Sequence, residues 1–132
     1  MAVELFLTNE NELLVNEIAP RPHNSGHHTI EGNITSQYEQ YLRAIFGFPL
    51  GDTAIQLPSV MINLLGEPNY SGKAKYEGVA QSMALSGVKI HIYGKKETRP
   101  FRKMGHVTIM DQDIQQALVK ANQVKQILKV KA

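Results

Sequence analysis

Apolar and polar residues alternate over Val3–Thr8 and again over Leu13–Ile18, with the polar run Asn9–Glu12 between them. A period of two on both sides of a short polar turn predicts an antiparallel hairpin. Glu4 then lies near the start of one strand and Glu17 near the end of the other, so pairing brings the two carboxylates together. Over Asn16–His28 no period holds, and Pro20 and Pro22 stiffen the backbone and exclude regular helix. Helical spacing begins afterwards. Ser36 with Glu39 forms a candidate capping box, Tyr38, Leu42 and Ile45 share one face, and Gly47 is placed to end the helix. Phe48–Leu57, with Pro49 and Gly51, reads as a connector, dividing the chain into residues 1–48 and 49–132. The second part predicts a strand at Val60–Leu65, a loop at Gly66–Gly72, a helix around Lys75–Ser86 and a strand at Val88–Tyr93. A basic loop, a strand at His106–Met110 and a final helix follow. Asp111 or Asp113 caps that helix, in which Ile114, Ala117, Leu118, Ala121, Val124 and Leu128 recur at helical spacing. Such a mixture of hairpin, helix and strands gives an α+β class.

Composition narrows the function classes only slightly. At 132 residues, 42% hydrophobic and 20% charged, the chain can bury one modest core or two small ones. Without cysteine there is no disulfide or thiolate chemistry, which is compatible with a cytoplasmic location. No apolar run reaches the length of a membrane span, so no membrane partner is expected. The net charge of +2 conceals an asymmetry: residues 1–50 carry −4 and residues 51–132 carry +6. Six of the bases fall between Lys89 and Lys103. An acidic half suits a cation and a basic half suits a phosphate.

Three groups of residues carry candidate chemistry. Glu4 and Glu17, beside the Asn16 amide, offer the hard oxygens that Mg2+ takes from one or two carboxylates. Paired acids are also common on a solvated surface, and Glu10 and Glu12 in the turn are read that way. The proline loop gathers an anion fork (Arg21), an imidazole (His23), an amide (Asn24) and a hydroxyl (Ser25), with Gly26 allowing close backbone approach. The alternative is a stiff turn whose polar groups only satisfy backbone. His27 and His28 are adjacent, which suits opposite faces of an extended segment rather than one zinc ion. In the basic loop, Lys95, Lys96, Arg99, Arg102 and Lys103 stand around Gly94 and Pro100. Tyr93 and Phe101 add stacking surfaces, yet a single patch without a recognised motif does not indicate a nucleic-acid partner. A solvated basic loop is the bland reading. His91 and His106 fall on predicted strands and are expected to be structural.

The run NEIAPRPHNSGH (Asn16–His27) resembles a signature of the 5-(carboxyamino)imidazole ribonucleotide synthases, ATP-grasp enzymes of purine biosynthesis. AVELFLT (Ala2–Thr8), PSVMINLLG (Pro58–Gly66) and YGKKETRPFRKMGHVTI (Tyr93–Ile109) match the same family in the same order. The resemblance covers nearly the whole chain. It implies that residues 1–48 are the end of an ATP-grasp domain and that residues 49–132 are the family's small mixed α/β carboxy-terminal domain.

Function and site roles follow from the resemblance as expectations. The parent would be a cytoplasmic, homodimeric carbon–nitrogen ligase that uses ATP, Mg2+ and bicarbonate, through carboxyphosphate, to carboxylate aminoimidazole ribonucleotide. Family members are much longer, so the chain is expected to be a carboxy-terminal fragment without turnover of its own. Glu4 and Glu17 match the metal positions, and Asn16 with Glu17 would face the nucleotide. Arg21, His23 and Asn24 would lie where bicarbonate and phosphate react, with Ser25 contacting substrate. Lys95, or Lys96 in its place, and Arg102 would hold the ribonucleotide phosphate. Phe101 departs from the family, whose members commonly have glycine there. A related ATP-grasp purine enzyme using formate, or a non-catalytic phosphate-binding module, are the alternatives; NSGH and RKMGH speak against the first.

Overall fold

In the computed structural model, which describes residues 1–132, the alternating start of the chain folds as β1 (Ala2–Leu7) antiparallel to β2 (Leu13–Ala19). Thr8 organises the turn: its hydroxyl accepts from the backbone N–H of Glu10 (3.2 Å) and Glu12 (3.1 Å). Glu4 stands directly opposite Glu17, and the register shifts at the next residue, so that Leu5 faces Val15. The shift leaves Asn16 as the extra residue of a bulge, a device that re-aims a side chain. Large apolar side chains remain exposed along both strands, among them Leu5, Phe6, Leu14 and Val15. A two-stranded hairpin is marginal by itself, and these apolar faces are exposed.

The proline loop ends in a 3-10 turn at Asn24–Gly26 and a single helical turn α1 (Thr29–Gly32). Helix α2 (Gln37–Phe46) begins as its capping signal predicts, with the Ser36 hydroxyl accepting from Glu39 N–H at 3.1 Å. Only that half of the capping box forms. The Glu39 carboxylate instead accepts from the Arg43 guanidinium, one helical turn on, at 2.8 and 2.9 Å. Gly47 closes the helix in the left-handed conformation (φ 67°). These elements form one compact unit, Met1–Ala54; Ile55–Ala132 form a second.

The second unit is built on an antiparallel sheet in the order β3 (Ser59–Leu65), β8 (Lys103–Met110), β6 (Val88–Ile92). Strand β8 is central and begins three residues before the expected His106. It buries Met104, Val107 and Ile109 completely. Helix α4 (Ile114–Ile127), capped by the Asp113 carboxylate on Gln115 N–H, closes the core with Ala117, Ala121 and Val124. The helix expected around Lys75–Ser86 does not form as such. Residues Lys75–Glu77 are a strand, β5, and only Val79–Met83 are helical (α3). Gly78 between them has φ 78°, and a Cβ there would stand 2.2 Å from the Ile127 carbonyl oxygen, so helix cannot run through. Strand β5 pairs with β9 (Lys129–Lys131), placing Tyr76 opposite the buried Val130. A two-residue ladder joins β4 (Gly72–Lys73) to β7 (Glu97–Thr98). No helix is long and apolar enough to cross a membrane.

Candidate metal and phosphate sites

The hairpin bulge assembles the first site. Glu4 and Glu17 share one end of the β1–β2 ladder, and the displaced Asn16 donates its amide N–H to Glu4 Oε1 at 2.9 Å. His23, only 8% exposed, joins them from the proline loop. Its Nε2 lies 2.6 Å from Glu17 Oε1, and its Nδ1 lies 3.4 Å from Glu4 Oε2 and 2.8 Å from the Ser25 hydroxyl. One ligand atom from each of Glu4, Glu17 and His23 falls within 4.8 Å of the others. The set fits a divalent cation: both carboxylates remain open to solvent, and hard oxygens with room for waters are what Mg2+ takes. The imidazole adds a nitrogen that also suits Mn2+ or Zn2+.

His23 is held by its backbone as well as by its ring. The Gln37 side chain accepts from His23 N–H at 2.9 Å and donates to the His23 carbonyl at 2.8 Å. The same amide lies 2.8 Å from His27 Nδ1, and the His27 ring stacks on Tyr38 at 5.6 Å between centroids. Burial raises the Tyr38 phenol above its ordinary pKa, outweighing the Arg21 guanidinium that lowers it, so Tyr38 stays a neutral hydroxyl. Gln37 was not singled out in the sequence: a first-turn glutamine looks like any solvated helix residue. Its position directly after the Ser36 cap is the one signal, because that position faces back towards the preceding loop.

The other loop residues fall around this cluster. Arg21 donates to the Pro22 carbonyl at 3.0 Å through one guanidinium nitrogen, leaving its other donors for an anion. Asn24 opens the 3-10 turn, and Ser25 is engaged with His23.

In the second unit, the basic loop is clamped rather than loose. Phe101 N–H donates to the Gly66 carbonyl and Gly66 N–H donates to the Arg102 carbonyl, both at 2.9 Å. Lys95 Nζ donates to the Lys103 carbonyl at 2.6 Å and lies 5.9 Å from the Tyr93 ring centroid. Arg102 donates to the Glu97 carbonyl at 2.8 Å. Both cations are thus oriented by the loop's own carbonyls, with donors to spare. Beneath the loop, the His91 and His106 rings stack at 4.3 Å on β6 and β8, and His106 Nδ1 lies 2.9 Å from the Tyr93 hydroxyl.

Phe101 adopts φ 61° and is 70% exposed. The left-handed region costs a side-chain-bearing residue roughly 1–2 kcal/mol, and little packing offsets it here. Phe101→Gly is therefore expected to stabilise the chain by about 0.5–1 kcal/mol, after allowance for the glycine's extra unfolded-state entropy. Urea denaturation measures this, and a loss of stability would mean that the ring is packed.

Comparison with known proteins matches both units of the chain. A family profile described as the phosphoribosylaminoimidazole carboxylase C-terminal domain matches residues 59–120, and the ATP-grasp domain profile matches residues 1–38. N5-carboxyaminoimidazole ribonucleotide synthase of Bacillus subtilis is 50% identical over 112 residues, covering 85% of this chain and 28% of that protein. The crystal structure of the N5-carboxyaminoimidazole ribonucleotide synthetase from Thermotoga maritima superposes with a TM-score of 0.93 at 57% identity, covering 98% of this chain and 36% of that one. The Aspergillus clavatus N5-carboxyaminoimidazole synthase in complex with ADP and 5-aminoimidazole ribonucleotide superposes at 0.80 with 34% identity, covering 94% and 33%. The chain spans about a third or less of the length of the curated relatives it matches.

Proposed function

This chain belongs to the N5-carboxyaminoimidazole ribonucleotide synthase family, and we propose that it supplies the metal-binding hairpin and carboxy-terminal domain of an ATP-dependent ligase. The reaction is carboxylation of 5-aminoimidazole ribonucleotide by bicarbonate activated as carboxyphosphate. The observation that carries this reading is Glu4 opposite Glu17 at a bulge that turns Asn16 onto Glu4, with His23 brought to the same pair by the proline loop.

Glu4 and Glu17, with the Asn16 amide beside them, would hold Mg2+, which when bound neutralises the charge of the ATP phosphates. His23 fixes the rotamer of Glu17, and protein-held orientation of this kind is what phosphoryl transfer needs most. Arg21 presents a planar fork to the anionic carboxyphosphate, and Asn24 and Ser25 offer neutral hydrogen bonds beside it. Lys95 and Arg102 take the ribonucleotide phosphate, a point charge and a fork on one turn. On the same family resemblance the whole enzyme is a cytoplasmic homodimer. The exposed apolar faces of β1 and β2 are covered in it by the rest of the ATP-grasp domain.

The test is a chimera in which this chain replaces the matching segment of the Bacillus subtilis relative. The chimera is expected to release ADP in a manner dependent on bicarbonate and the ribonucleotide, while the 132 residues alone show no bicarbonate-dependent ATP hydrolysis. Arg102→Ala in the chimera should raise the KM for the ribonucleotide about tenfold to a hundredfold, as loss of a charged hydrogen bond does, and move the KM for ATP much less. Lys103→Ala controls for general loss of positive charge. A folded chimera that binds the ribonucleotide without turnover would make the chain a phosphate-binding module instead.

A further inference from the structure

Two glutamines one turn apart on α2 each grip a stretch of loop backbone by the same pair of bonds. Gln37 Oε1 accepts from His23 N–H at 2.9 Å while its Nε2 donates to the His23 carbonyl at 2.8 Å. Gln40 Oε1 accepts from Gly51 N–H at 2.9 Å while its Nε2 donates to the Gly51 carbonyl at 2.8 Å. Only the first clamp holds a residue of the Glu4–Glu17–His23 cluster.

The clamp on His23 fixes direction as well as place. His23 is extended (φ −114°, ψ 150°), so its N–H and C=O project on one side and a single planar amide reaches both. Both Nε2 hydrogens of Gln37 are committed, one to the His23 carbonyl and the other to His27 Nδ1 at 2.8 Å. The amide cannot turn over without setting N–H against N–H and oxygen against oxygen. The loop also makes room for it: a Cβ at Gly26 would stand 2.6 Å from Gln37 Oε1. The ring follows the backbone. His23 Nδ1 accepts from Ser25 N–H at 3.4 Å, which puts the ring proton on Nε2, 2.6 Å from Glu17 Oε1.

We infer that Gln37 is a positioning residue: acting through His23, it holds the Glu17 carboxylate by one oxygen and leaves the other for a cation. The consequence for metal affinity rests on the reading of Glu4 and Glu17 as Mg2+ ligands. Glu17 is more than half exposed, so without His23 its carboxylate would sample several rotamers and lose that freedom on binding an ion. Groups that orient a ligand in this way contribute to affinity without touching the metal. Gln40 makes the same bonds to Gly51 and reaches none of the cluster, so it separates orientation of the site from support of the fold.

Magnetic resonance of the metal-free 132-residue chain, with labelled histidine, tests this directly. The His23 Nε2 proton, bonded to a carboxylate, is expected as a downfield, slowly exchanging resonance in the parent chain. Gln37→Met keeps the length of the side chain and removes its three bonds, and the resonance should be lost. Gly26→Ala displaces the amide without removing it and should lose the resonance too; it carries the same comparison where Gln37→Met does not fold. Gln40→Met should keep it. Mn2+ should bind about threefold to tenfold more weakly to Gln37→Met and Gly26→Ala, and as tightly to Gln40→Met as to the parent. A resonance retained in both Gln37→Met and Gly26→Ala would overturn the inference. So would Mn2+ affinity kept by those variants but lowered by Glu17→Gln. Loss of the resonance with Mn2+ affinity unchanged even in Glu17→Gln would support the positioning of Glu17 and sink the metal reading instead.

Discussion

Glu17→Gln is expected to weaken Mn2+ binding to the chain at least roughly tenfold, read by titration with Mn2+ as a paramagnetic probe, and to lower turnover of the chimera by a similar factor at limiting Mg2+. The substitution is nearly isosteric. A glutamine amide still reaches His23 Nε2, now 2.6 Å from the carboxylate, so the proline loop keeps its anchor and only the charge is removed. Glu4 then stands alone as the anionic ligand, with Asn16 donating to one of its oxygens. Divalent affinity depends chiefly on the number of carboxylates, and a single one leaves the cation close to its hydrated state. The thermal unfolding midpoint without metal should hardly move, because Glu17 is more than half exposed. An unchanged Mn2+ titration would mean that the two carboxylates are only a solvated pair across a hairpin.

What the sequence made legible was whatever depends on a period. Alternation over Val3–Thr8 and Leu13–Ile18 sufficed to pair Glu4 with Glu17, and β1 and β2 lie within a residue of those bounds. The Ser36 cap and the Gly47 stop bracket α2 as the pattern predicts. Features that depend on two segments at once were hidden. A bulge at Asn16 is a property of the pair of strands, since either strand alone reads as regular alternation. The Gln37 clamp on His23 crosses fourteen residues and uses an amide that could equally face water. Strand β9 is three residues long with one buried valine, too short for any period to register, and it exists because β5 lies beside it. Gly78 was read as one more residue of a helix, when the space beside Ile127 and its positive φ end any helix there. His23 was legible as chemistry but not as geometry: proximity in sequence to Arg21 and Asn24 hid its place between the two carboxylates.

A single methyl group added at Gly66 is expected to cost stability and to displace the turn that carries Arg102. A Cβ there would stand 2.2 Å from the Arg99 carbonyl oxygen and 2.4 Å from Thr98 Oγ1. Backbone cannot yield as the end of a flexible side chain can, so Gly66→Ala must push the Arg99–Arg102 turn away from the end of β3. Both clamping bonds run through this residue, Phe101 N–H to its carbonyl and its own N–H to Arg102, and Glu67 N–H beside it donates to the buried Val130 at 2.8 Å. Overpacking of this kind costs about 1–3 kcal/mol, and the strained hydrogen bonds place Gly66→Ala at the upper end of that range. Gly94 at the other end of the loop is the control. Nothing lies within 4 Å of a Cβ placed there, so only its φ of 71° resists alanine, at roughly 1–2 kcal/mol. Urea denaturation should therefore rank Gly66→Ala as the more damaging of the two. Ribonucleotide binding by the chimera should fall with Gly66→Ala, because Arg102 is displaced with its turn, and hold with Gly94→Ala. A reversed ranking would mean that the basic loop is held by its own turn and does not depend on its clamp to β3.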